Sequence, residues 1–438
     1  MNTLVLDSAQ LHAGITDPTI ESLGFLNEAG SRYPDAVSFA AGAPHTSFLD
    51  DVDIPECLDR FTGYLVQERG LTPVAARRLL QEYGPSRGII NDLVARALTL
   101  DHGLAVDASS IVVTAGCQEA MLLAVRALCT GPGDLLAVVD PSFVGIVGAA
   151  RLLDVPVVPV PETADGIDLD ELRRLCRGAR SAGRRVRALY VAPDYANPSG
   201  TVLDRAARLA LLDLAEQEDL LLLEDIAYGF TAPPGQDLPP LKALDAGGRV
   251  ILLGTFAKVC LPGARVGFAV ADQRVRDART GQVRSLARAM AELKTMVTVN
   301  TSPIAQGVVG GMLLRHGGSL AGLGRAKAAL YRRNLALLLE ALDRQVAAAV
   351  PEVSWNRPTA GFFVRLRLPV EVDMALLERS AREYRVLWTP MAPFYLGGDG
   401  ARQLRLSCSY LEPGEIDEGA GRLARFLKDV VADAGTTA

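Results

Sequence analysis

Five lysines occur in this chain, at positions 242, 258, 294, 327 and 428, and one of them is set up for chemistry. Lys258 lies between two apolar runs rich in β-branched residues, ILLGTF and ARVGFAVA, which read as buried strands joined by a tight turn at Pro262-Gly263. A lysine at the end of a buried strand is desolvated on one side. That disfavours its charged form and leaves an amine able to attack a carbonyl and form a Schiff base. Thr255 precedes Lys258 closely and Arg265 follows it, so a hydroxyl and a guanidinium are at hand for an anion. An amine nucleophile beside an anion clamp suits an aldehyde cofactor that carries a phosphate, namely pyridoxal phosphate. The same position also suits a lysine whose head snorkels to water, and the stretch alone leaves both readings open.

The elements that must hold these residues follow from the pattern upstream. Continuous apolar runs, IVVTAG (111–116), LLAVVD (135–140), VPVVPV (155–160), RALYVAP (187–193) and LLLLED (220–225), alternate with amphipathic helical stretches. With the two strands around Lys258, this predicts an α/β fold whose mostly parallel, seven-stranded sheet is covered by helices on both faces. Polar residues punctuate the carboxyl ends of those strands: Gly116-Cys117-Gln118, Asp140-Pro141-Ser142-Phe143, Asn197-Pro198, Asp225 with Tyr228, and Lys258. Open α/β sheets bind ligands at that edge, because loops and helix N-termini converge there.

Residues 1 to about 35 are polar and aperiodic until IESLGFLNEAGSRY, whose apolar spacing predicts a short helix. VSFAAGAPHTSF (37–48) reads as a strand entering a glycine-rich turn, with Gly42 where a backbone can approach a ligand closely. Helical pattern then runs to position 98, broken at Tyr83-Gly84-Pro85. Beyond 271, helices are expected over roughly 280–296, 303–316 and 322–348, with MVTVNTSP (296–303) a polar turn; the remainder reads as strands and helices in α+β order. The expected organisation is an N-terminal arm and part of a small domain over 1–75, a large domain over 76–325 and a C-terminal small domain over 326–438.

Composition narrows the function class. With 438 residues and 49% hydrophobic, the chain can bury a large core of two lobes. A formal net charge of −6 gives no electrostatic footprint for nucleic acid. No apolar run approaches a membrane span, and the N-terminus has no signal-peptide pattern, so the cytoplasm is the expected compartment. Six scattered cysteines without a C-x-x-C pair, and four histidines outside ligand spacing, support neither a disulfide framework nor a metal site.

In order along the chain, TAGCQEA, DPSF, DYANPSG, EDIAYGF, GTFAKVCLPGARVG and QLRLS resemble the motifs of the fold-type-I, pyridoxal-phosphate-dependent class I/II aminotransferases, with an aspartate-aminotransferase-like fold. The wording YGPSRGIINDL, FVGIVGAARLLDVPVVPVPE and MVTVNTSP is most similar to the hydroxyphenylglycine and dihydroxyphenylglycine aminotransferases of antibiotic biosynthesis. The resemblance implies that Lys258 holds the cofactor as an internal aldimine and then moves a proton as base and acid. It implies that Asp225 pairs with the pyridine nitrogen, that Asn197 and Tyr228 bond the ring 3′-oxygen, and that Phe143 stacks on the ring. Gly116, Cys117, Gln118, Thr255 and Arg265 would hold the phosphate, and Arg405, with Gly42 and Asn197, the substrate. It further implies a homodimer with shared sites, in which Tyr83 and the turn near Asn300 reach the neighbouring subunit's cofactor, and a keto acid as second substrate.

Three positions depart from the family's pattern: Phe143 where tyrosine is common, Ile226-Ala227 where a polar residue and proline are usual, and Ala257 where serine is frequent. The expectation is therefore an aminotransferase for an aromatic or phenylglycine-type amino acid. The alternative is an enzyme of the same fold that uses the quinonoid for C–C bond formation, β/γ-replacement or oxidation, with S-adenosylmethionine or another amino substrate. A cofactor-sensing domain of a transcription regulator is disfavoured, since about 35 N-terminal residues cannot hold a winged helix.

Overall fold

The computed structural model describes residues 3–17, 32–163 and 166–437. The helix expected within 20–33 lies almost wholly outside the described residues. The first strand, β1 (Val37–Ser38), pairs in parallel with Val386–Leu387, which ties the N-terminal segment to the far end of the chain. Strands β2 (Ile111–Thr114), β3 (Asp134–Asp140), β4 (Val157–Thr163), β5 (Gly166–Ile167), β6 (Arg185–Val191), β7 (Leu221–Asp225), β8 (Val250–Thr255) and β9 (Gly267–Val270) form one sheet. Its order is β2-β9-β8-β7-β6-β3-β4-β5. The strands from β8 to β4 run parallel, whereas β9 is antiparallel to both neighbours. The sheet has eight strands where seven are expected, because the chain after β4 turns back as the two-residue β5.

The strands carry no polar alternation because both faces are covered. Leu136, Val138, Tyr190 and Leu223 enter one apolar cluster, and the intervening Ala137, Leu189 and Leu222 enter another on the opposite face. Outer helices are capped in the ordinary way: Asp168 caps the Leu169–Ser181 helix and Asp204 the Arg205–Gln217 helix through their side chains. The Cys117–Leu128 and Val144–Leu152 helices differ, beginning at Gly116 and Phe143 with no side-chain cap. Their first-turn amides therefore have no partner from a cap, and both open at the carboxyl edge of the sheet.

An unforeseen antiparallel hairpin, β10 (Arg274–Arg276) with β11 (Val283–Ser285), occupies the start of the first expected late helix, which runs Leu286–Val297 instead. After the Pro303–Arg315 helix, a long helix spans Leu320–Ala341 and continues as a π-helical segment, Leu342–Val346. A second sheet contains β12 (Ser354–Trp355), β13 (Phe363–Arg367), β15 (Thr389–Pro390) and β16 (Gln403–Ser407), with β14 (Val386–Leu387) partnering β1. The long helix joins two cores: Leu323 packs with Phe256 and Val113, and Leu335 and Leu338 pack with Trp388 and Leu404.

Candidate active site

Lys258 sits not on β8 but three residues beyond it, in a single turn closed by the Cys260 amide donating to the Phe256 carbonyl at 2.8 Å. Its ammonium donates to the carbonyl of Gly42, so the N-terminal glycine-rich turn meets the lysine directly. Burial, then the cations of Arg405 and Arg265, pull Lys258 down to about 8 from 10.5, against the opposing pull of Asp225. The amine therefore holds a far larger neutral fraction near neutral pH than an ordinary lysine does, and a Schiff-base nucleophile reacts through that fraction.

Asp225 ends β7 and is only 8% exposed. It accepts hydrogen bonds from the Tyr190 hydroxyl at 2.7 Å and the Ala227 amide at 3.0 Å, while burial pushes its carboxyl upward. Tyr190 was not singled out from sequence; the available signal was one phenol in the buried, otherwise aliphatic half of strand β6, residues 188–191. Tyr228 is buried, with its ring edge-on to Phe362 and Phe363 and its hydroxyl hydrogen-bonded to Asn197; burial raises its phenol strongly. The Ile226-Ala227 departure leaves this turn anchored, since the Ile226 amide donates to the Leu253 carbonyl at 3.1 Å.

Arg405 lies on β16 and is buried. It donates to Asn197 Oδ1 at 2.5 Å, to the Ala40 carbonyl at 2.9 Å and to Thr389 Oγ1 at 3.2 Å, and it lies 4.3 Å above the Phe363 ring centre. Its Nε is buried without a hydrogen-bond partner, and burial lowers the guanidinium to about 10. A buried guanidinium held by neutral groups, with a donor to spare, has the chemistry to accept a carboxylate.

At the uncapped start of the Cys117–Leu128 helix, Gly116 has φ +80°, and a Cβ there would stand 2.5 Å from Arg265 Nη2. Gly267 on β9 is equally constrained, since its Cβ would meet the Cys117 amide nitrogen at 2.5 Å. Backbone, helix N-terminus and guanidinium are thereby brought together into an anion cradle. Gln118 contributes only its amide here, because its side chain donates to the Gly145 carbonyl at 2.7 Å. Thr255 Oγ1 accepts from the Ala257 amide at 3.1 Å, which leaves its hydroxyl proton free to donate. Phe143 is half-buried at the start of the next helix, in a cavity also lined by Ser142, Tyr190 and Asn197. Burial keeps the Cys117 thiol protonated. Tyr83 is not gathered into the cluster: it is 89% exposed, beside the turn that carries Asn300.

Comparison with known proteins bears on this constellation. The family model "Aminotransferase class I and II" matches residues 65–423. The chain belongs to that family. The aminotransferase is 46% identical to the (S)-3,5-dihydroxyphenylglycine transaminase of Amycolatopsis orientalis over 96% of this chain and 94% of that protein. It is 32% identical to the 2-aminoadipate transaminase of Thermus thermophilus, with 92% of each chain covered. Among solved structures, the α-aminoadipate aminotransferase of Thermus thermophilus, complexed with N-(5′-phosphopyridoxyl)-L-leucine, has a TM-score of 0.76 at 29% identity, covering 97% of this chain and 99% of that one. The cofactor is pyridoxal phosphate, and the aminotransferase's own residues fit it: an amine lowered to about 8, a buried carboxylate and an anion cradle converge on one edge. No helix among the described residues is long and apolar enough to cross a membrane.

Proposed function

We propose that this aminotransferase acts on an aromatic amino acid of the phenylglycine type in secondary-metabolite biosynthesis, as a homodimer. The observation that carries the substrate class is the 46% identity, end to end, with a dihydroxyphenylglycine transaminase. Lys258 holds the cofactor's aldehyde carbon, Asp225 its ring nitrogen, Asn197 and Tyr228 its ring oxygen, and Phe143 its ring face. The Cys117 and Gln118 amides, the Thr255 hydroxyl and Arg265 hold its phosphate. When bound, the cofactor supplies an electron sink for the pair left on the substrate α-carbon.

The chain's residues then divide the work. Arg405 binds the substrate α-carboxylate through paired, charge-assisted hydrogen bonds, each about 1.5–3 kcal/mol in net terms. That would set the α-carbon beside Lys258, whose Nζ would act as the base that takes the α-proton and as the acid that gives it back. Asp225, whose charged form the Tyr190 hydroxyl and the Ala227 amide favour against the opposing effect of burial, would pair with the ring nitrogen and hold a proton there.

The test is a half-reaction without keto acid, offering the purified enzyme one donor at a time while following cofactor absorbance and dissolved oxygen. The panel comprises 4-hydroxyphenylglycine, 3,5-dihydroxyphenylglycine, tyrosine, glutamate, alanine and S-adenosylmethionine. Stoichiometric conversion to the pyridoxamine form by a phenylglycine, reversed by a keto acid, is expected. Oxygen uptake, or conversion by aliphatic donors alone, refutes the proposal.

A further inference from the structure

Behind the anion cradle lies a polar cluster with no part in the chemistry described above. Lys294, fully buried near the end of the Leu286–Val297 helix, donates to both carboxylate oxygens of Glu119, at 2.8 and 3.1 Å. Thr298 Oγ1 is 2.5 Å from the same ammonium and donates to Glu119 Oε1 at 2.6 Å. Glu119 is itself 7% exposed and occupies the third position of the uncapped helix. Its other oxygen accepts the Ala115 amide at 2.6 Å, one residue before the cradle glycine.

The arrangement varies the capping box, in which an acidic side chain in the first turn reaches back to an amide just ahead of the helix. Here the acceptor fixes the direction of the Ala115–Gly116 peptide, and hence that of the amides following it. A carboxylate in the first turn also competes with any external anion for the positive field of the helix N-terminus. Lys294 cancels that charge at hydrogen-bond distance, so the field stays available to a phosphate. As a device for stability alone the pair is a poor choice, since apolar residues of like volume commonly replace a buried ion pair without loss.

We propose that Glu119, Lys294 and Thr298 are positioning residues for the cofactor's phosphate: together they orient and electrically neutralise the cradle at residues 115–118. The proposal rests on the reading that this turn takes the phosphate. Removing Lys294 leaves a bare carboxylate beneath a dianion, so binding of a phosphorylated ligand suffers while binding of its dephosphorylated form does not.

The experiment titrates apo-protein with pyridoxal phosphate and, separately, with pyridoxal, following absorbance. In Lys294→Met, affinity for pyridoxal phosphate is expected to fall about ten-fold or more, the range seen when a group supporting a ligating residue is removed. Affinity for pyridoxal stays within about two-fold of wild type, within the usual spread of an undisturbed site. Equal losses for both aldehydes, or no loss for either, overturn the proposal. Thr298→Val, which spares the ion pair, gives a smaller loss of the same selectivity and decides the matter if Lys294→Met does not fold; an unselective result there overturns it too. Arg265→Ala is run alongside. If that variant fails to discriminate between the two aldehydes, the phosphate reading of the cradle falls, whatever Lys294 shows.

Discussion

Arg405 and Lys258 are coupled through charge, and that coupling has a measurable sign. Among the charged neighbours of Lys258, Arg405 exerts the largest downward pull, after burial itself. With its amine near 8, apo-protein is expected to capture pyridoxal at a rate that rises with pH and levels off above about 8. Trapping with borohydride across pH 6–11 measures it, and a plateau only near the ordinary lysine value of 10.5 contradicts the assignment. Arg405→Met removes a cation that favours the neutral amine, so the midpoint moves up. A second test concerns Tyr190, whose hydroxyl is one of two donors that favour the charged form of Asp225 against burial. Tyr190→Phe leaves that carboxylate less able to keep a proton on the ring nitrogen. The expected loss is about ten-fold in kcat with KM little changed, below the usual worth of a direct acid or base; a rise in KM alone would place Tyr190 in substrate binding instead.

Three site turns owe their positions to one helix. From the Leu320–Ala341 helix, Lys327 donates to the Val259 and Cys260 carbonyls just after Lys258. Arg332 donates to the Thr231 and Ala232 carbonyls after Tyr228, both at 2.9 Å, and Asn334 to the Cys408 and Leu411 carbonyls beyond Arg405, at 3.1 and 2.7 Å. Lys327→Met would leave two carbonyls near the catalytic turn without their cation, at a cost of about 1–3 kcal/mol. Urea unfolding should show that as a lower midpoint, and an unchanged midpoint would mean that water replaces the ammonium. None of these grips was legible in the sequence, where the helix shows only amphipathic spacing. Long-range side-chain bonds to backbone leave no periodic trace. What was legible is the set of residues ending strands: Gly116, Asn197, Asp225 and Lys258 sit at one sheet edge because strand-end loops in a parallel sheet must share that edge. The hairpin at 274–285 was missed because its strands are short and arginine-rich, without alternation, and Tyr190 because a strand-borne phenol looks like core. Lys294 and Glu119 lie far apart in sequence and meet only through tertiary packing.

At the scale of the whole molecule, the exposed apolar surface is unevenly distributed. Tyr83, Met296, Val297, Val299 and Ile304 are 89%, 82%, 52%, 45% and 52% exposed. Their segments adjoin, since Ser86 and Thr295 hydroxyls are 2.8 Å apart and a Cβ on Gly84 would lie 3.7 Å from the Pro303 ring. Val299 also has φ +63°, a conformation disfavoured for a β-branched residue and typical of functional turns. A patch of this kind marks a protein contact, and its closeness to the cradle through Thr298 and Lys294 means that whatever covers it also abuts the cradle. In the homodimer proposed above, the cover is a second copy, meeting this patch across a two-fold axis. Met296→Glu sets a charge into the apolar contact, and its two-fold mate repeats it in the other subunit. Light scattering is expected to give twice the chain mass for wild type and a shift toward single-chain mass, growing on dilution, for the variant. Cofactor affinity and activity should fall together with the dimer fraction, because Tyr83 has no role within its own subunit's cluster. Full activity in a demonstrably monomeric Met296→Glu would separate the patch from catalysis and leave Tyr83 outside the site.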